Sequence, residues 1–202
     1  MNLANKLTFL RIILAPVFLI IYFLPKNHSI WAVPVLWFIF IVSEITDYFD
    51  GLAARKLKIA TDFGKFFDPF ADTLVQITCF LCFVVDGIFI VDGFWGNSIL
   101  PLLLFLLVIY REFGILFLRN LMLKKGITLG ASIYGKIKTV TYIIAVGAAL
   151  LVASIERFGC CESLLPYFKI AALVIFAISV VFAIVSFFNY FLVYKKTGNS
   201  EQ

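Results

Sequence analysis

The stretch Asp47-Tyr48-Phe49-Asp50-Gly51-Leu52-Ala53-Ala54-Arg55, then eight residues, Gly64, three more, Asp68, three more and Asp72, decides the fold. Apolar runs continue on both sides of it, so its four aspartates are predicted on two antiparallel helices that enter a membrane. Asp47, Asp50, Gly51 and Ala54 recur at i, i+3, i+4 and i+7, and Gly64, Asp68 and Asp72 at i, i+4 and i+8. Each set therefore occupies one helix face. With the hairpin centred near residues 59–60, Asp47 is expected at the depth of Asp72 and Asp50 at that of Asp68. At about 1.5 Å of rise per residue, all four lie roughly 6–12 Å from the loop, and the two acidic stripes are expected to face each other across one cavity.

Four carboxylates beside hydrocarbon do not stay ionised and unpaired, because they repel one another and desolvation costs several kcal/mol per ion. A cation is expected between them. Mg²⁺, Mn²⁺ or Ca²⁺ fits, since hard cations take carboxylate oxygens and the stretch holds no His or Cys. Gly51 and Gly64 leave room where two helices and a flat ligand group meet.

Composition sets the class. Of 202 residues, 63% are hydrophobic and 14% charged, with a mean hydropathy of +1.05, well outside the range of soluble domains. Six apolar segments are long enough to span, at about 8–24, 31–54, 65–91, 98–123, 136–155 and 166–194. The expected fold is an all-α membrane protein in which residues 1–202 form one domain, a bundle of six transmembrane helices. A short interfacial helix at Asn2 to Lys6 is expected before it, and the first span reads as an uncleaved anchor because no small-residue cleavage site follows.

Charge sets the orientation. Lys6, Arg11, Arg55, Lys56, Lys58, Lys65, Arg119, Lys124, Lys125, Lys136, Lys138, Lys195 and Lys196 fall on one side, against Lys26, Arg157 and Lys169 on the other. Thirteen against three places both termini and the aspartate loop in the cytoplasm. The net charge of +5 then reflects cytoplasmic loops meeting anionic lipid, and nucleic acid is not an expected partner.

A second polar cluster ends the fourth span and opens the fifth: Arg111, Glu112, Arg119, Lys124, Lys125 and Gly135-Lys136-Ile137-Lys138-Thr139. Arg111 and Arg119, eight residues apart, share a face. Arg111 lies deep enough to need a partner. Glu112, adjacent to it, is expected to point elsewhere, so an aspartate, a phosphate or a carbonyl from another span is sought. Arg111, Arg119, Lys136 and Lys138 thus form a candidate anion pocket; positive-inside residues with no such role are the plainer reading of the lysines. Cys79 and Cys82 read as packing residues within an apolar helix. Cys160 and Cys161 fall in a loop on the far side, where a bridge to Cys82 is conceivable. His28 reads as a surface residue, and Trp31 and Trp95 suit an interfacial belt.

The opening stretch matches, position for position, the pattern D-x2-D-G-x2-A-R-x8-G-x3-D-x3-D, and in this the chain resembles the CDP-alcohol phosphotransferases, membrane enzymes that attach phospholipid headgroups. The resemblance implies CDP-diacylglycerol as donor, a hydroxyl acceptor and CMP as leaving group. Two metal ions, Mg²⁺ or Mn²⁺, are implied on Asp47, Asp50, Asp68 and Asp72, with Asp72 also taking the acceptor's proton. Gly51, Ala54, Arg55 and Gly64 are implied at CDP, as are Thr8 and Arg11, because Asn5-x-x-Thr8-x-x-Arg11 resembles the family's amino-terminal stretch.

Arg111-Glu112-Phe113, Arg119, Gly126, Ala131 and Gly135 to Thr139 resemble the branch whose acceptor is glycerol 3-phosphate, a small phosphorylated polyol whose phosphate the basic residues would hold. Thr73 departs from that branch, which often has Lys after the last aspartate. Phosphatidylglycerol, serine and inositol phosphate remain alternative acceptors. A homodimer in a bacterial inner membrane is implied. The rival outside the family, a divalent-cation transporter, needs polar residues along the whole path, and the far halves of these spans are almost wholly apolar.

Overall fold

The computed structural model describes residues 3–24, 29–57, 62–91, 99–124 and 133–198, and every regular element among them is helical. The elements are α1 (Leu3–Tyr22), α2 (Ser29–Leu57), α3 (Asp62–Val85), α4 (Ile99–Lys124), α5 (Ile133–Phe158), a single 3₁₀ turn (Glu162–Leu164) and α6 (Leu165–Gly198). Four segments are long and apolar enough to cross a membrane: Phe67–Val85, Ile99–Met122, Ile133–Phe158 and Glu162–Lys195. The chain is a multi-pass membrane protein. The two other expected spans correspond to α1 and α2, of 20 and 29 residues.

Among the described residues, no break separates the stretch expected as a short interfacial helix, Asn2 to Lys6, from the first span. Leu3 to Lys6 are the first turn of α1, because nothing between Lys6 and Thr8 interrupts helical geometry. Prolines inside α1, α2 and α3, at 16, 34 and 69, are compatible with membrane helices, where neighbouring groups re-satisfy the freed carbonyls. At the far end of α5, Gly159 adopts φ +63°. There Cys160 N–H donates to the Ile155 carbonyl and Gly159 N–H to that of Glu156, a Schellman closure that favours glycine.

The chain divides into two compact units, Met1–Asp86 with Ala153–Glu162, and Gly87–Val152 with Ser163–Gln202. In the first, α1 packs along both α2 and α3. Thr8, Arg11, Ala15, Phe18 and Tyr22 are all buried, and their 3-4-3-4 spacing forms one continuous seam. On α3 a matching series runs through Asp68, Asp72, Val75, Cys79 and Cys82. Thr8 meets Asp68, Arg11 meets Asp72 and Tyr22 meets Asp86, so α1 and α3 run parallel.

At the end remote from Arg11, the Tyr22 hydroxyl donates to Asp86 at 2.8 Å. Arg157 donates to the Tyr22 carbonyl at 2.6 Å and stacks its guanidinium 4.5 Å from the ring centroid. Trp37 Nε1 donates to Ser154 at 3.1 Å. Cys79 and Cys82 are buried in the seam, Cys160 and Cys161 are exposed, and all four thiols are free, so the conceivable bridge to Cys82 is not formed.

In the second unit, α4 packs along α6. Gly114 permits a close approach there: a β-carbon in its place would lie 2.7 Å from the Phe187 ring. Phe89 stacks on Phe176, with centroids 4.8 Å apart.

Candidate active site

The seam of α1 starts in polar residues. Thr8 Oγ1 donates to Asp68 Oδ1, and Arg11 Nη1 donates to Asp47 Oδ1 at 2.6 Å and also to Asp72 Oδ1. Asp47 of α2 and Asp72 of α3 thus share one nitrogen, which puts them at one depth. Three of the four motif aspartates meet the same face of α1.

The Arg11 side chain is 1% exposed, whereas those of Asp47 and Asp72 are 41% and 38% exposed. Each carboxylate is therefore anchored from the protein side and open on the other. A guanidinium in this position offsets the mutual repulsion of two anions held close together. Part of the positive charge expected between the aspartates comes from Arg11, which the family resemblance, with Thr8, implies at CDP. In the structure these two residues are bonded to the carboxylates themselves.

The donor chemistry suits a divalent cation. Asp47, Asp68 and Asp72 present only carboxylate oxygens, the ligands Mg²⁺ and Mn²⁺ prefer, with no competing soft donor. Among the described residues no three His, Cys, Asp or Glu side chains gather around one point at metal-binding distance. The fourth motif aspartate, Asp50, belongs to α2, as do Gly51, Ala54 and Arg55, and Gly64 belongs to α3; their side chains lie outside the described ones. Thr73, where the glycerol 3-phosphate branch often has Lys, is buried. Gly126 and Ala131 also lie outside the described residues.

The second polar cluster is built within the other unit. Arg111 Nη1 donates to Glu112 Oε1 at 2.8 Å, Nη2 to the Ser186 hydroxyl at 3.1 Å and Nε to the Ala183 carbonyl at 3.2 Å. Lys138 Nζ reaches the same Glu112 oxygen at 2.7 Å and stands 4.1 Å from the Tyr142 ring centroid. All three ionised residues are buried. Arg111 does find a carbonyl on another helix, as expected, but Glu112 does not point away. Neighbouring helix positions diverge at Cβ, yet the long arginine side chain folds back far enough to reach its neighbour. Arg119 is half-buried and Lys136 exposed.

Comparison with known proteins bears on both clusters. A profile described as CDP-alcohol phosphatidyltransferase matches residues 1–185, a span that includes the aspartate motif and the basic cluster. The chain belongs to the CDP-alcohol phosphatidyltransferase family. It is 38% identical over 157 residues to a CDP-diacylglycerol–glycerol-3-phosphate 3-phosphatidyltransferase of Treponema pallidum, covering 77% of this chain and 67% of that protein. A protein of the same name from Bacillus subtilis is 36% identical over 159 residues, covering 74% and 77%. One from Haemophilus influenzae is 32% identical over 196 residues, covering 96% and 94%. As a CDP-alcohol phosphatidyltransferase the chain is a phosphatidyl-group transferase of phospholipid biosynthesis, in a family that depends on divalent cations.

Proposed function

We propose that the chain transfers the phosphatidyl group of CDP-diacylglycerol to the hydroxyl of glycerol 3-phosphate, giving phosphatidylglycerophosphate and CMP. The observation that carries this reading is the convergence of Asp47, Asp68 and Asp72 on Arg11 and Thr8, in a family whose similar members bear that activity in their names.

Asp47, Asp50, Asp68 and Asp72 would hold two divalent cations, Mg²⁺ or Mn²⁺, which when bound neutralise charge on the transferring phosphoryl oxygens and the CMP leaving group. Arg11 holds Asp47 and Asp72 to one side of the site, and Thr8 does the same for Asp68. Asp72 takes the proton of the acceptor hydroxyl. The hydroxyl oxygen forms a bond to the phosphorus bearing diacylglycerol, and the bond from that phosphorus to the CMP oxygen breaks. Gly51, Ala54 and Gly64 make room for cytidine, and Arg55 contacts the donor phosphates.

Arg119 and Lys136 hold the acceptor's phosphate. Arg111 and Lys138 are buried, their charges balanced in part by Glu112. Residues 1–202 act as one catalytic domain, a reading supported by a family match across residues 1–185 that takes in parts of both units.

All six long helices span the membrane, with both termini and the aspartate loop on the cytoplasmic side of a bacterial inner membrane. The parallel course of α1 and α3 supports this, since helices separated by one intervening span cross in the same direction. The first turn of α1 lies at the interface, and the enzyme is a homodimer.

The test is CMP release from CDP-diacylglycerol and Mg²⁺, with glycerol 3-phosphate, serine, inositol phosphate or phosphatidylglycerol added singly. Release with glycerol 3-phosphate alone is expected. Release only with another acceptor overturns the acceptor assignment, and release with none overturns the donor.

A further inference from the structure

Glu112 is the least expected element of the second unit. It sits inside the candidate span Ile99–Met122, where an ionised carboxylate is costly unless paired, and it is 4% exposed. A single oxygen, Oε1, meets both Arg111 Nη1 at 2.8 Å and Lys138 Nζ at 2.7 Å. Through Arg111 the connection continues to Ala183 and Ser186. One carboxylate on α4 therefore reaches α5 directly and α6 at one remove.

The placement of the neighbouring basic residues gives the hub its meaning. Lys136 lies one residue beyond the neighbour of Lys138 and is exposed where Lys138 is buried, so the two point to different sides of α5. Arg119 lies about 12 Å along α4 from Arg111, at about 1.5 Å per residue. Arg119 and Lys136 thus ride on the two helices that Glu112 ties together, each on its own element.

We propose that Glu112 is a positioning residue for the acceptor: by holding Arg111 and Lys138 at once it fixes the register of α4 against α5, and so sets Arg119 and Lys136 for the acceptor's phosphate. The inference rests on the acceptor reading above. A purely structural tie would behave differently, lowering thermal stability and the yield of active enzyme while leaving the KM values of the folded fraction alone.

The experiment compares Glu112→Gln and Glu112→Asp with the unaltered full-length enzyme in detergent. It measures thermal unfolding, KM for each substrate, and inhibition by inorganic phosphate added as a probe of the anion site. In Glu112→Gln, KM for glycerol 3-phosphate rises about tenfold or more and phosphate loses inhibitory potency by a like factor, while KM for CDP-diacylglycerol stays within about twofold. Glu112→Asp, which keeps the charge but shortens its reach, shows a smaller rise of about threefold. It carries the test if the glutamine variant does not fold.

An unchanged acceptor KM in the folded variant, or an equal rise for donor and acceptor, overturns the proposal. An unaltered enzyme that does not use glycerol 3-phosphate overturns the acceptor assignment and this proposal together. Normal use of that acceptor beside an unaffected variant overturns the proposal alone.

Discussion

Replacing Arg11 by methionine removes the guanidinium that Asp47 and Asp72 share while keeping most of the apolar stem in the α1 seam. Net contributions of hydrogen bonds to charged groups run about 1.5–3 kcal/mol each. Asp47 and Asp72 are 41% and 38% exposed, so water screens them and the lower end of that range applies. Two bonds then amount to about 3 kcal/mol. At about 1.36 kcal/mol per factor of ten, losing the arrangement they enforce reduces turnover about 100-fold. Arg11→Lys keeps the charge without the planar fork and falls in between, at about tenfold. The assay is CMP release at saturating substrates, paired with thermal unfolding to confirm that the variant is folded. Folded Arg11→Met with turnover within about threefold of the parent would refute the assignment of Arg11 as the anchor of the two carboxylates.

The other expectations are more local. Asp47→Asn, Asp50→Asn, Asp68→Asn and Asp72→Asn each lower CMP release by orders of magnitude, and full activity in any one removes that residue from the mechanism. Arg119→Ala or Lys136→Ala chiefly raises the KM for glycerol 3-phosphate, which steady-state kinetics against each substrate separately will resolve. Gly114→Ala places a β-carbon 2.7 Å from the Phe187 ring, so the ring must tilt. The expected loss is about 1–3 kcal/mol of stability, read as a lower melting temperature, and an unchanged melting temperature would show that the ring yields freely.

The helices and the acidic face were legible because both are short-range properties. Apolar runs marked six helices within about six residues of their observed bounds, and the i, i+4 spacing put Asp68 and Asp72 on one face of α3, the face that meets α1. Arg11 was legible as part of the polar amino-terminal stretch but not as the partner of Asp47 and Asp72, since 36 and 61 residues separate it from them and no local period encodes such a distance. A signal was nevertheless present. The 3-4-3-4 series that buries Ala15, Phe18 and Tyr22 extends back to Arg11 and Thr8, so those two polar residues had to face a neighbouring helix.

Glu112 was misjudged for the opposite reason. Helical geometry separates adjacent Cβ atoms correctly, but the reach of arginine overrides that separation once burial denies both groups water. Nothing in Asn5, Lys6 or Leu7 breaks a helix, so the basic flank marks no boundary within α1.

The most direct test of the account follows the acceptor into the lipid. The purified enzyme is supplied with CDP-diacylglycerol, Mg²⁺ and ¹³C-labelled glycerol 3-phosphate, and the lipid product is identified by mass spectrometry beside the CMP released. The account predicts labelled phosphatidylglycerophosphate in step with CMP, and neither product from Asp72→Asn. Unlabelled phosphatidic acid accompanying CMP, which signals transfer to water, or no lipid product from the unaltered enzyme, would contradict it.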